Sequence, residues 1–161
     1  MRIIAGPCQH ESLEQSLEIA AHCRDVCDKY GFEYYFKASF DKANRTNLSS
    51  KRGIDLDTTL IDFLEIKNQL GVKLLTDVHT EGQISRVRSV VDVIQIPAFL
   101  CRQTDLILTA CETDCIVNIK KGQFLAPWDV KGILSKCENA EEVWITERGT
   151  SFGYNLSLIH I

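Results

Sequence analysis

Six apolar runs alternate with amphipathic segments along this chain, and that alternation constrains the fold more than any other feature. The runs begin near residues 2, 33, 72, 91, 115 and 142, about 19 to 39 residues apart, the spacing that βα units produce. They are nearly continuous apolar stretches instead of period-two patterns, as strands of a parallel sheet covered by helices must be. The expected strands are 2–8, 33–40, 72–79, 91–98, 115–121 and 143–148. Gly6-Pro7 is expected to stop the first and turn the chain. Ser12, with Gln15 three residues on, caps a helix that Gly31 ends. Asp55 or Asp57 caps a second, with Leu60, Phe63, Leu64 and Lys67 on one face and Gly71 at its end. Shorter helices follow after Thr80, over 103–112 and over 127–137. This order suits either a (β/α) barrel or a doubly wound sheet, and the absence of Gly-x-Gly-x-x-Gly after the first strand counts against the dinucleotide-binding version of the latter.

Each run ends in polar side chains: Cys8; Lys37 and Ser39; Asp77 and His79; Gln95; Asn118, Lys120 and Lys121; Glu147 and Arg148. All of these are carboxyl ends. In a barrel the carboxyl ends share one face, so cations distant in sequence can surround a single anionic ligand. The densest group is segment 36–46, where Lys37, Lys42 and Arg45 face one acid, Asp41. By itself that segment reads equally as a solvated basic loop or as a phosphate site. Polar groups at six successive strand ends favour the site.

With 161 residues, 45% hydrophobic and 25% charged, the chain can bury a real core as one soluble domain. A formal charge of -4 gives no reason to expect nucleic acid. Met1-Arg2 leads directly into the first strand, so no leader is expected, and no span reaches membrane length. Seven cysteines, an odd number without paired C-x-x-C spacing, suit a reducing, cytoplasmic setting. Cys23 and Cys27 share one helical face as small core residues.

Six blocks then resemble one family: Ile4-Ala5-Gly6-Pro7-Cys8; Phe36 through Thr46; Leu75-Thr76-Asp77-Val78-His79; Gln95 through Asp105; Asn118 through Pro127; and Thr146 through Tyr154. In this order they resemble the 3-deoxy-D-manno-octulosonate 8-phosphate synthases. The related 3-deoxy-heptulosonate phosphate synthases, which share the fold, typically carry a Lys-Pro-Arg-Thr loop where this chain has Lys42-Ala43-Asn44-Arg45-Thr46. A non-catalytic phosphosugar-binding barrel is the other alternative. The resemblance implies a (β/α)8 TIM barrel, with about six of its eight βα units in residues 1–155. It also implies condensation of phosphoenolpyruvate with arabinose 5-phosphate, releasing phosphate and making the eight-carbon acid of lipopolysaccharide, in a homotetramer.

Residue by residue, the resemblance assigns Lys37, Lys42, Lys120 and Arg148 to the phosphate and carboxylate of phosphoenolpyruvate, over a floor formed in part by Gln95, Pro97 and Ala98. Asn44, Arg45 and Thr46 would take the aldose phosphate. Asp77 would accept from a hydroxyl, with His79 supporting it and Glu147 paired to a neighbouring cation. Lys37, Lys42 and Asp77 are the candidate catalytic groups. Lys42 reads either as the acid near the aldehyde oxygen or as a phosphate contact. The family divides into enzymes that need a divalent metal, with Cys after Gly-Pro, and enzymes that do not, with Asn there. Cys8 therefore points to the metal-dependent class.

The chain departs from the family at Ser50-Lys51-Arg52-Gly53-Ile54-Asp55, where a Pro-Gly is absent, and again after Asn155. Residues 156–161, Leu-Ser-Leu-Ile-His-Ile, are what one frame of a sequencing adapter encodes, and they are expected to be a non-native tail. On that reading the remaining metal ligands belong to strands that this chain lacks, and the 161-residue piece is inactive alone.

Overall fold

The computed structural model describes residues 1–151; the expected tail lies outside them. In chain order the elements are β1 (Arg2–Gln9), α1 (Leu13–Tyr30), β2 (Glu33–Ser39), α2 (Leu56–Leu70), β3 (Lys73–Asp77), α3 (Glu81–Val87), β4 (Val93–Ile96), α4 (Thr104–Cys111), β5 (Ile116–Lys120), α5 (Val130–Leu134) and β6 (Val143–Thr146). Single 3-10 turns occupy Ala98–Leu100 and Pro127–Asp129. The strand order is β1-β2-β3-β4-β5-β6, and the pairings β1–β2, β2–β3 and β5–β6 are parallel. Strands in sequence order follow the (β/α) barrel pattern, whereas a doubly wound sheet reverses its order at a switch point. Among the described residues there are six strands, against eight in a closed barrel. Among the described residues no helix is long and apolar enough to cross a membrane.

The chain divides into two units, Met1–Asp77 with Val87–Val93, and Val78–Arg86 with the residues from Ile94 onward. In the first unit, the Ser12 hydroxyl accepts from the Gln15 amide at the start of α1, and Asp55 accepts from Thr58 at the start of α2. Gly31 and Gly71 end these helices in the left-handed conformation. The face of α2 differs from expectation, since Thr59, Phe63 and Ile66 are buried while Leu64 is 43% exposed. Phe63 sets this rotation by packing edge-on against both Phe36 and His10, at 6.1 and 5.5 Å between ring centroids. Lys67 is only half-buried, its ammonium 2.9 Å from Asp92, whose other carboxylate oxygen accepts from the Leu74 amide.

Gly6-Pro7 does not stop the first strand. β1 continues to Gln9 through a bulge between Ala5 and Cys8. A Cβ at residue 6 would lie 2.0 Å from the Lys37 carbonyl oxygen, so only glycine permits this approach of β1 to β2. Proline, lacking an N–H, is tolerated at such a bulge.

In the second unit, β4 is wholly buried, and α4 buries Leu106, Ile107 and Ala110. The helix expected over 127–137 is broken. Pro127 opens a 3-10 turn and the α-helical hydrogen bonding spans only Val130–Leu134. Strands β3 to β6 are all shorter at their ends than the apolar runs that announce them.

Candidate active site

In the first unit the β1 bulge brings Cys8 opposite Ala38. Cys8 has φ 68°, and it is the one described non-glycine residue with positive φ. Such a conformation costs roughly 1–3 kcal/mol and persists where the surroundings impose it, often at functional sites. The Lys42 ammonium donates to the Cys8 carbonyl and to the Ser39 hydroxyl, both at 2.8 Å, and lies 3.2 Å from the Cys8 sulfur. Lys37 donates to the same two oxygens, at 3.3 and 3.1 Å. Two ammonium groups thus crowd one neutral hydroxyl and one carbonyl. An anion placed between them would relieve their mutual repulsion.

The single acid of segment 36–46 does not cancel this charge, because Asp41 is gripped at both carboxylate oxygens by Arg52. That pair closes a loop, helped by the Lys42 amide donating to the Arg52 carbonyl and by an antiparallel bridge from Asp41 to Gly53. A side chain at Gly53 would strike the Phe40 carbonyl oxygen at 2.0 Å, and its φ of 136° suits glycine alone. Arg45 is held within the loop, donating to Gln9 at 2.8 Å and to the Lys51 carbonyl at 3.3 Å. Asn44 and Thr46 are exposed on the same loop, and Asp77 ends β3 at 8% exposure.

Sequence reasoning missed His10, which is wholly buried. Its Nδ1 lies 2.8 Å from the Ser16 hydroxyl and its Nε2 2.8 Å from Asp62, while its amide donates to the Ser39 carbonyl. The serine, histidine and aspartate stand in the order of a hydrolytic triad. Ser16 is itself 0% exposed, so no substrate reaches it, and the network fastens the end of β1 to α1 and α2. Neither Ser16 nor Asp62, distant in sequence, signals this role.

Cys8 is exposed, and its thiol suits one position in the shell of a soft divalent ion. Among the described residues no group of three His, Cys, Asp or Glu side chains is arranged to hold a metal. Cys8 therefore offers a single thiol donor, and the described residues do not by themselves form a metal site.

In the second unit a buried polar chain crosses three strands. Thr146 donates to the Asn118 side-chain oxygen at 2.8 Å, and the Asn118 amide donates to Gln95 at 3.1 Å. This commits the Gln95 oxygen and leaves its amide N–H groups as its donors. Pro97 and Ala98, both buried, lead into the 3-10 turn after β4. Lys120 ends β5, half-buried. Arg148 is exposed and donates to the Gln123 side chain at 2.9 Å.

Lys121, which follows Lys120 among the polar residues at the strand ends, is enclosed by protein groups. Its side chain is 0% exposed. The ammonium donates to the carbonyls of Gly122, Leu125 and Gly149 and lies 3.4 Å from Glu147. Glu147 does pair with a neighbouring cation, as expected.

Three curated relatives named 2-dehydro-3-deoxyphosphooctonate aldolase, from Bartonella bacilliformis, Chelativorans sp. and Brucella anthropi, are 52%, 53% and 52% identical to the chain. The alignments cover 95–96% of this chain and 56–57% of the relatives, so the chain spans little more than half of their length. The model of the DAHP synthetase I family matches residues 1–160. That match takes in every described strand end carrying the cations and amides above, and the chain belongs to the DAHP synthetase I family.

Proposed function

We propose that the protein to which this chain belongs condenses phosphoenolpyruvate with arabinose 5-phosphate and one water to give 3-deoxy-D-manno-octulosonate 8-phosphate and inorganic phosphate, a step of lipopolysaccharide synthesis. The observation that carries the reading is the pair Lys37 and Lys42 sharing the Ser39 hydroxyl and the Cys8 carbonyl. A doubly anionic enol phosphate answers that charge. The family description alone would also suit a heptulosonate synthase, but the relatives carry the octonate name.

In this reading Lys37 and Lys42 bind phosphoenolpyruvate, and Arg45, held by Gln9, takes the aldose phosphate with Asn44 and Thr46. Arginine provides a planar fork for phosphate, and lysine a point charge. As the carbon–carbon bond forms, the enol-ether carbon becomes electron-poor and the aldehyde oxygen gains negative charge. Lys42 stands to stabilise or protonate that oxygen, and Asp77 accepts from a substrate hydroxyl. In the second unit Lys120 and Arg148 act as cations for phosphate or carboxylate, and Gln95, Pro97 and Ala98 form a floor beneath phosphoenolpyruvate. Cys8 would be one ligand of a divalent ion, which when bound supplies Lewis acidity. Seven free cysteines suit a cytoplasmic protein, and the intact enzyme is proposed to be a homotetramer.

The test is phosphate release by the intact protein from phosphoenolpyruvate. Release that requires a five-carbon aldose phosphate supports the reading. Release with a four-carbon aldose phosphate, and none with the five-carbon one, would assign it to the heptulosonate enzymes instead.

A further inference from the structure

A lysine ammonium with no solvent exposure needs three acceptors and a counter-charge, or its burial costs several kcal/mol. Lys121 has both, and they come from two separate segments. Gly122 and Leu125 belong to the loop after β5, while Gly149 and Glu147 belong to the turn after β6. The same turn is cross-braced, with Glu147 Oε1 accepting from the amides of Arg148 and Gly149 at 2.9 and 2.7 Å. Gly149 adopts φ 84°, a left-handed conformation that glycine takes without strain. The loop after β5 answers through Gln123, whose side chain accepts from the Arg148 guanidinium and whose carbonyl accepts from the Ser151 amide at 2.7 Å.

We propose that Lys121 is a positioning residue. Buried between the loop after β5 and the turn after β6, it locks both so that the Arg148 guanidinium is presented in one orientation to the phosphoenolpyruvate anion. The inference rests on the proposed role of Arg148 and extends it to a residue that touches no substrate. Its chemistry is specific. A buried ammonium binds three carbonyls; an apolar side chain would take this donor from the Leu125 and Gly149 carbonyls and leave Gly122 with the Leu125 amide, and the segment carrying Arg148 would then lose its anchor. Gln123 is the second brace, acting on the guanidinium directly.

Three variants of the intact protein test this: Arg148→Ala, Lys121→Met and Gln123→Ala. Arg148→Ala should raise the KM for phosphoenolpyruvate and leave that for arabinose 5-phosphate within about twofold. Lys121→Met should reproduce this selective rise, by about 10-fold or more, since small misplacements of a binding group are costly. Combining it with Arg148→Ala should add nothing further to that KM. Gln123→Ala, which leaves the buried ammonium intact, should show the same selectivity at smaller size, and it answers the question even if Lys121→Met fails to fold. A selective Arg148→Ala effect, with Gln123→Ala and any folded Lys121→Met altering both KM values equally or neither, would overturn the positioning role. A silent Arg148→Ala would instead overturn the site reading beneath it.

Discussion

The Lys42 ammonium donates to the Cys8 carbonyl at 2.8 Å and lies 3.2 Å from the Cys8 sulfur, so the loop after β2 and the bulged end of β1 form one cationic corner. This corner exists because β1 does not end at Gly6-Pro7. The bulge turns Cys8 into the left-handed region, and its backbone carbonyl becomes an acceptor for both lysines.

Replacing either lysine should therefore remove function without unfolding the protein. Lys37→Ala or Lys42→Ala in the intact enzyme should lower kcat/KM by at least about 100-fold, the usual cost of losing one preorganised donor. Thermal unfolding should move little, because both lysines are only half-buried and the Ser39 hydroxyl and Cys8 carbonyl each keep the other lysine as donor when one is replaced. Steady-state kinetics with unchanged kcat/KM would remove the two lysines from the site.

Arg45 should behave differently from the lysines. It is held by Gln9 and the Lys51 carbonyl on the exposed loop, so Arg45→Ala should raise the KM for arabinose 5-phosphate far more than that for phosphoenolpyruvate. Equal rises would mean that the two phosphate sites have been exchanged.

Cys8 can be followed by its own chemistry. It is the exposed thiol of the seven, whereas burial, with Cys137 adjoining, pushes the Cys111 thiol up to about 12. A thiol reagent should label Cys8 first, and zinc added before the reagent should protect it. Chelation should abolish turnover, and a divalent ion should restore it. Labelling of Cys8 that zinc leaves unchanged, in an enzyme fully active after chelation, would exclude Cys8 as a metal ligand.

An acid transition should trace to Glu33. Hydrogen bonds from Lys73 and Tyr35, opposed by desolvation and aided by Arg2, lower its pKa from 4.5 to about 2. A depressed folded-state pKa contributes stability above the unfolded value, and that stability is lost as pH falls. Glu33 should thus contribute in full above about pH 4.5 and progressively less down to about 2. The effect should be modest, because the side chain is 40% exposed. Glu33→Gln should flatten this part of the stability profile in denaturant titrations, and an unchanged slope would contradict the assignment.

Much of this architecture is legible in the chain itself. Apolar runs mark the strands because a covered parallel sheet admits few polar positions, and Ser12, Asp55, Gly31 and Gly71 mark helix ends through local chemistry. The features that escaped depend on partners far away in sequence. Gly6-Pro7 carries the same signal whether it makes a turn or a bulge, and only the approach of the Lys37 carbonyl decides. Lys120 and Lys121 look alike as adjacent cations, but one is half-buried while the other is enclosed by the carbonyls of Gly122 and Leu125 and by that of Gly149, 28 residues on. His10 gave no signal because its acceptor, Asp62, is 52 residues distant.

The central claim is a choice of aldose, and a competition decides it most directly. The intact protein is supplied with phosphoenolpyruvate and equal concentrations of the five-carbon and four-carbon aldose phosphates, and the products are separated by mass. The eight-carbon 3-deoxy acid phosphate should be the dominant product; a dominant seven-carbon product would contradict the octulosonate assignment.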